Sequence, residues 1–171
     1  METLKTDRLL LRPLSVLDIN EVFFLRSDEV VGQYIKREKL KDTDGALLFI
    51  NRICSEVAES KIYYWAISTG DSNKMIGSIC LWNFNEAKTK AEVGYDLHPD
   101  YQGQGIMNET IQCILQFGIN SLKLAEISAY TDHRNTASCK LLKRNGFVLQ
   151  DELRDEGNEN NRIFILTPPT R

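Results

Sequence analysis

A short glycine-containing stretch between an extended segment and a long amphipathic segment constrains this chain more than any other feature. Residues 100–108 read Asp-Tyr-Gln-Gly-Gln-Gly-Ile-Met-Asn. The segment before them, residues 88–97, is followed by His98 and Pro99, and a proline cannot continue a paired strand. In residues 105–122, apolar side chains recur at three- and four-residue steps, which is typical of an amphipathic helix. The sequence therefore predicts a strand, a tight turn and a long helix in direct succession.

Gly103 and Gly105 give the turn its chemical character. Because they lack a Cβ, the backbone can turn sharply and a bulky anion can approach the chain closely. The first N–H groups of a helix lack partners, and the positive end of the helix dipole lies behind them, so a diphosphate can bind without a lysine. No Gly-Lys-Ser or Gly-Lys-Thr follows, and Asn108 replaces the last glycine of a dinucleotide-binding G-x-G-x-x-G motif. A helix start with two flexible residues is the simpler interpretation.

Periodicity along the rest of the chain predicts a mostly antiparallel sheet flanked by helices. The alternating leucines of residues 6–13 indicate an edge strand, and the turn-forming residues 69–73 indicate a hairpin. Apolar stripes that follow Thr43 or Asp44, and that follow Asn135, predict helices capped by these residues. The predicted strands are residues 6–13, 62–68, 75–84, 88–97, 124–130, 147–153 and 161–167, and the predicted helices are residues 15–26, 43–59, 105–122 and 136–144. The expected fold class is α/β (α+β), with about seven strands and four helices.

Length and composition limit the number of domains and the classes of partner. A chain of 171 residues with 42% hydrophobic content closes one core, so one domain is expected over residues 1–171. The net charge is −3 and the 21 lysines and arginines are scattered, which argues against nucleic acid as a partner. No basic start precedes a long apolar run, so we expect a cytoplasmic protein without a membrane segment. The four cysteines lie far apart, His98 and His133 lie outside ligand spacing, and no metal is expected.

The glycine turn resembles a signature of the GNAT superfamily of N-acetyltransferases. Gln102 and Gly105, preceded by the pair His98-Pro99, are similar to the family's Gln/Arg-x-x-Gly-x-Gly/Ala turn, which follows a central strand. Met107 departs from the motif in its last place. Because the hydrogen bonds expected there come from main-chain N–H groups, this departure leaves the resemblance intact.

A second motif of the same family lies in the predicted helix after Asn135. The run Asn135-Thr136-Ala137-Ser138, followed by Leu141 and Gly146-Phe147, resembles the family's Asn-x-x-Ser/Ala helix and the Gly-Phe strand after it. Within the superfamily, the sequence is similar to the RimJ/RimL-like branch, which acetylates the N-termini of ribosomal proteins. Together with residues 6–13, the resemblance extends over nearly the whole chain.

The resemblance implies that acetyl-CoA is the acetyl donor. Its pyrophosphate is expected on main-chain N–H groups of the turn, and its pantetheine arm in a cleft between two splayed central strands. The Leu97 backbone would hydrogen-bond the arm, and the Asn135 side chain would reach it from the opposite side. A role as helix cap explains Asn135 equally well. The residues expected at the pyrophosphate are Gln102, Gly103, Gln104, Gly105, Ile106, Met107 and Asn108.

Glu92 is the candidate general base, because it lies in the strand that leads to the turn. A glutamate has a reference pKa of about 4.3, so this role requires either burial that raises the pKa or a bridging water. The alternative is an exposed carboxylate that pairs with Lys90 or Lys88. Tyr95 is a weaker candidate, since strand alternation places it on the opposite face from Glu92 unless a bulge, which this family usually has here, changes the alternation.

Ser138 is the candidate proton donor. Many members of the family have a tyrosine seven residues after the helix asparagine that protonates the departing thiolate, and Leu142 occupies this position here. A thiol with a pKa of about 8.5 also leaves readily without protonation. Ser138 resembles the serine of the ribosomal-protein branch and is able to supply a proton, whereas its simpler role is to bond a backbone group at the helix start.

The sequence as a whole predicts direct transfer of an acetyl group from acetyl-CoA to a primary amine. An α-amine, with a reference pKa of about 8, loses its proton near neutrality more readily than a lysine amine at about 10.4. The acceptor is therefore expected to be a protein N-terminus or a small-molecule amine, and the protein a monomer or a homodimer. Two alternatives stay open: a coenzyme A-binding module that has lost catalysis, and a binder of phosphopeptides or nucleotides that uses the same helix start.

Overall fold

The computed structural model describes residues 1–169, and a sheet of eight strands runs through them. The strands pair in the order β1-β2-β3-β4-β5-β6-β8-β7, and within the described residues only β5 and β6 are parallel neighbours. The prediction of a mostly antiparallel sheet is therefore confirmed. The strands are β1 (Leu4–Lys5), β2 (Leu9–Pro13), β3 (Tyr63–Thr69), β4 (Met75–Trp82), β5 (Lys90–Leu97), β6 (Glu126–Asp132), β7 (Val148–Leu149) and β8 (Asn161–Leu166).

Helices cover both faces of this sheet. The helix that begins at Thr43 is capped by the Asp42 side chain, which accepts a hydrogen bond of 2.8 Å from Gly45 N, so the predicted caps Thr43 and Asp44 are wrong by one or two positions. None of the helices in residues 1–169 combines the length and apolar character needed to cross a bilayer. The helices are α1 (Ile19–Ser27), α2 (Glu29–Gly32), α3 (Thr43–Ala58), α4 (Ile106–Asn120) and α5 (Thr136–Arg144), with 3₁₀ turns at Val16–Asp18 and Pro99–Tyr101.

The N-terminal segment forms two strands where the sequence predicted one edge strand. The chain reverses at Thr6, whose backbone N–H donates to Leu9 O and whose hydroxyl accepts from Leu9 N, both at 3.0 Å. This turn allows β1 to pair with β2, so β2 lies between β1 and β3 and the predicted edge position is wrong. The four-residue α2, capped by Asp28, is too short to produce a helical period and was not predicted.

Two apolar clusters lie on opposite faces of the sheet. Successive residues of a strand face opposite sides, and in β3 the buried Trp65 and Ile67 belong to one cluster while Tyr64 and Ala66 belong to the other. The first cluster includes the buried face of α4, and the second packs against α1 and α3. The sheet is therefore held rigidly between helices, which fixes the position of the strand ends.

The central strands β5 and β6 are paired over only three residues. The parallel register joins Lys90, Ala91 and Glu92 to Glu126, Ile127 and Ser128, and both strands then continue without pairing to each other. On its other side, β5 pairs with β4 from Glu92 to Leu97 without a register shift. The predicted splay of the central strands is confirmed, and no bulge interrupts the alternation of β5 against β4.

Candidate active site

A cleft of about 1220 Å³ opens where β5 and β6 separate. Gln104 is the one predicted site residue that does not line it, because its side chain donates a hydrogen bond of 2.8 Å to Asp100 O. The structure thus brings the separate sequence motifs together at one opening. The predicted residues that line the cleft are Glu92, Leu97, Gln102, Gly103, Gly105, Ile106, Met107, Asn108, Asn135 and Ser138.

The glycine turn has the backbone conformation that its sequence predicted. Gly103 and Gly105 have φ values of 73° and 76°, in the left-handed region that L side chains rarely adopt. Gly105 is also the N-cap of α4 and offers no side-chain acceptor, so the first N–H groups of this helix remain available. A Cβ built on Gly105 would meet nothing closer than Arg8 Nη2 at 3.5 Å. Backbone conformation, and not crowding by protein atoms, is therefore what requires glycine here.

An ion pair supports the turn from outside the cleft. Arg8 Nε lies 2.7 Å from Glu109 Oε2 in the first turn of α4, and Arg8 Nη1 donates to Gln104 O at 3.1 Å. The Thr6 hydroxyl donates to Glu109 Oε1 at 2.5 Å. The sequence analysis missed this group because about a hundred residues separate its two sides, and neither side shows a motif.

Glu92 lies in the cleft in partly buried surroundings. Burial raises the pKa of its carboxyl to about 7, a hydrogen bond from Asn83 Nδ2 at 3.5 Å lowers it, and repulsion by Asp155 raises it. The burial that the sequence analysis required for a general base is therefore present. A carboxyl with a pKa close to neutrality can accept a proton from an amine and release it again.

Lys90 and Lys88, the alternative partners of Glu92, are engaged elsewhere. Lys90 Nζ lies 3.0 Å from Glu126 Oε2 on the neighbouring strand, and Lys88 Nζ donates to Ser60 O at 3.2 Å. Neither contact involves the Glu92 carboxyl, so the alternative of a surface ion pair lacks support in this structure.

Ser138 lies at the centre of three hydroxyl groups. Its Oγ is 2.8 Å from Tyr95 Oη and accepts a hydrogen bond of 2.9 Å from Thr131 Oγ1. Its backbone N–H donates to Asn135 Oδ1 at 3.1 Å, so Asn135 acts as the helix cap while it also lines the cleft. Burial raises the pKa of Tyr95 to about 12. The sequence analysis ranked Tyr95 low, because strand alternation alone does not show that α5 packs over this face of β5.

Leu142 is fully buried in the core cluster that contains α4 and α5. At this position a tyrosine hydroxyl would face apolar side chains unless the helix moved, so the residue serves packing. The hydroxyl groups that meet at Ser138 come instead from β5, β6 and the first turn of α5.

A charged group on the other face of β5 was not predicted. Asp96 Oδ2 lies 3.2 Å from Arg37 Nη1, and Asp96 Oδ1 accepts a hydrogen bond of 2.6 Å from Ser78 Oγ. These residues and Arg26 line the same cleft as Glu92. The alternation of β5 placed Asp96 on the same face as Glu92, but nothing in the sequence indicated that Arg26 and Arg37 would lie beside it.

Comparisons with known proteins agree with this geometry. Residues 8–148 match the family model described as acetyltransferase (GNAT) domain. Protein p20 of Bacillus licheniformis, described as an uncharacterized N-acetyltransferase, is 30% identical over 164 residues, which cover 96% of this chain and 92% of that protein. YoaA of Bacillus subtilis (strain 168), which has the same description, is 29% identical over 161 residues, covering 94% and 91%.

A solved structure shows the same fold at low sequence identity. RimL, a ribosomal L7/L12 alpha-N-protein acetyltransferase in complex with coenzyme A, superimposes with a TM-score of 0.84 at 16% identity and covers 97% of this chain and 98% of its own. The family model and the two Bacillus relatives each extend over most of the chain, so the predicted family is confirmed. This protein belongs to the GNAT family of N-acetyltransferases.

Proposed function

We propose that this protein transfers the acetyl group of acetyl-CoA directly to a primary amine, either the α-amine of a protein N-terminus or a small-molecule amine. One observation carries the proposal: the glycine turn and the partly buried Glu92 line a single cleft at the point where β5 and β6 separate. Donor and acceptor can therefore occupy one continuous space, as direct transfer requires.

The donor fits the turn and the opening between the strands. The available N–H groups at the start of α4 suit a diphosphate, and the left-handed glycines leave them uncovered. The unpaired edge of β5 after Glu92 offers backbone groups to an extended amide-containing arm. The coenzyme A complex of RimL, which has the same fold, supports this assignment of the donor.

Glu92 and Ser138 divide the proton transfers. The pKa of Glu92, at about 7, lies close to the reference value of about 8 for an α-amine, so proton transfer between them is nearly balanced. Ser138 relays a proton to the departing thiolate: its own proton goes to the sulfur, a proton from the Tyr95 hydroxyl at 2.8 Å replaces it, and solvent in the cleft reprotonates Tyr95. Thr131 donates to the Ser138 oxygen and so leaves the serine proton free for the thiolate.

A covalent acetyl-cysteine route has less support than direct transfer. Cys80 lines the cleft, but burial raises the pKa of its thiol to about 12, so very little thiolate exists near neutral pH. Direct attack by the amine needs no such nucleophile.

A second candidate is a coenzyme A-binding module without catalysis. It is favoured by Leu142, because this buried core residue occupies the position of the family's proton-donating tyrosine. The two candidates predict the same donor binding and differ only in turnover.

Thiol release from acetyl-CoA in the presence of an amine panel separates these candidates. We expect free coenzyme A to appear only with certain amines, and mass spectrometry to find those amines acetylated. Tight binding of acetyl-CoA by calorimetry, without thiol release for any amine, would favour the binding module. Preferential binding of ATP over coenzyme A would contradict both candidates and favour the nucleotide binder.

A further inference from the structure

Arg26 carries a positive charge that has no ion-pair partner among the described residues. It lies in the last turn of α1 and lines the cleft. Its Nε is buried without a hydrogen-bond partner, and no carboxylate within residues 1–169 forms an ion pair with it. The guanidinium carbon lies 4.0 Å from the centre of the Phe49 ring, which holds the group in place. Because a partly buried charge without an ion-pair partner is costly, this position favours an added anion.

The neighbours of Arg26 strengthen this preference. Arg37 lies close enough to lower the pKa of Arg26 by repulsion, in addition to the larger effect of burial. The carboxylate of Asp96 already accepts hydrogen bonds from Arg37 on one oxygen and from Ser78 on the other. Two guanidinium groups therefore share one carboxylate, which leaves one positive charge in excess.

The opposite end of the same strand face has the opposite character. Glu92 and Asp96 lie four residues apart on one face of β5, a separation of about 13 Å. Around Glu92, Asp155 adds a negative charge, and the rings of Trp82 and Tyr130, 43% and 39% exposed, line the cleft. Carboxylates and exposed aromatic rings both attract a cationic amine. Along this face of β5, carboxylates and aromatic rings thus lie around Glu92, whereas two guanidinium groups lie around Asp96.

We propose that the acceptor is a peptide N-terminus that carries a carboxylate on its second or third residue. This inference rests on the proposed function and specifies the acceptor within it. The N-terminal amine lies at Glu92, and the side-chain carboxylate lies at Arg26 and Arg37. An extended peptide rises about 3.3 Å per residue, so carboxylates at these positions reach about 7–13 Å from the amine. In a free α-amino acid the two charges are too close together, and a polyamine places a cation where the cleft favours an anion.

Three tetrapeptides with a free N-terminal amine and an amidated C-terminus test the acceptor. Each begins with alanine and ends with alanine amide, and the middle pair is two glutamates, two glutamines or two lysines. We expect kcat/KM for thiol release to be at least about tenfold higher for the glutamate peptide than for the glutamine peptide, and lowest for the lysine peptide. Calorimetric titration of each peptide into the coenzyme A complex gives the same comparison without turnover.

Arg26→Gln should remove the preference for glutamate and leave the affinity for coenzyme A unchanged. Arg52→Gln is the matched control, because Arg52 lies 5.3 Å from the same Phe49 ring but does not line the cleft. Arg26→Lys keeps the positive charge and should retain part of the preference for the glutamate peptide. This variant tests the inference if Arg26→Gln fails to fold.

The outcomes separate this inference from the proposed function. Turnover of the glutamate and glutamine peptides at equal kcat/KM would overturn the anion site while the transferase activity stands. Equal binding of these peptides to the coenzyme A complex, without turnover of either, would overturn this inference, whereas only a lack of thiol release across the whole amine panel would overturn the proposed function. A loss of coenzyme A affinity in Arg26→Gln, but not in Arg52→Gln, would assign Arg26 to the donor and also overturn the inference.

Discussion

Replacing Glu92 with glutamine should stabilise the protein at pH 8 and have little effect at pH 4. In the folded protein, burial raises the pKa of Glu92 from its ordinary value of 4.5 to about 7. As the pH rises from 4.5 to 7, the unfolded chain loses this proton before the folded protein does, so ionisation progressively destabilises the fold. The destabilisation is complete above pH 7, and glutamine, which never ionises, avoids it.

The size of the effect follows from the displacement of the pKa. One pKa unit corresponds to about 1.36 kcal/mol. Without solvent screening, the increase in pKa from 4.5 to about 7 would therefore lower the free energy of unfolding by ~3.4 kcal/mol once Glu92 is ionised. Glu92 is only partly buried, and solvent screening reduces the expected gain in the free energy of unfolding to about 1–2 kcal/mol. Urea unfolding of Glu92→Gln and the parent protein at pH 4 and pH 8 measures this difference. A difference that is the same at both pH values would refute the reasoning.

The same carboxyl should control the pH dependence of catalysis. In the parent protein, kcat/KM for thiol release should rise with pH through about 7, as Glu92 becomes the basic form. Asn83→Ala removes a hydrogen bond that lowers this pKa, and Asp155→Asn removes a charge that raises it. The two variants should therefore shift the pH at which kcat/KM rises in opposite directions. If both variants shift this pH in the same direction, or if neither variant shifts it, Glu92 is excluded as the titrating group.

Other predictions address the glycine turn, the hydroxyl groups around Ser138 and the stability of the fold. Gly105→Val should abolish coenzyme A binding in calorimetry while circular dichroism stays native, because φ is 76° at the helix start where we propose that the diphosphate binds; unchanged affinity would argue against that site. Ser138→Ala should lower kcat about tenfold to a hundredfold at unchanged KM for acetyl-CoA, and Tyr95→Phe should lower it less; an unaltered kcat would exclude Ser138 as the proton donor. Asp18→Asn should lower the free energy of unfolding in urea by about 3 kcal/mol, since it breaks the ion pair between the buried Asp18 Oδ1 and Arg12 Nη2 at 2.6 Å; an unchanged free energy of unfolding would contradict this.

Local signals in the sequence were sufficient for the elements that position the donor. The glycine turn, the Asn135 cap and the start of α5 at Thr136 all lie within short stretches whose backbone chemistry decides the conformation. The prediction of a strand, a turn and a helix at residues 88–122 is therefore confirmed, with boundaries displaced by one or two residues. By contrast, the pairing of β1 depends on a single turn at Thr6, which local alternation does not reveal.

The side chains that the sequence analysis missed depend on contacts between distant segments. Tyr95 and Thr131 meet at Ser138 only because α5 packs across the separation of β5 and β6. Arg37 pairs with Asp96 across 59 residues of chain, and no motif in the sequence near Arg26 or Arg37 indicates that these residues face the cleft. Periodicity predicts the face on which a residue lies, but it does not predict which distant residue will be its neighbour.

The arrangement of strand edges in this sheet bears on self-association. A long unpaired edge on the rim of a sheet is a template for strands of other molecules. Here the two rim strands, β1 and β7, have only two residues each, whereas the longer unpaired edge of β5 faces β6 inside the sheet. The protein can thus keep the backbone donors and acceptors of β5 open inside the cleft without presenting them at the rim of the sheet, where a strand of another molecule could pair with them. We expect resistance to strand-mediated aggregation even before any donor has bound.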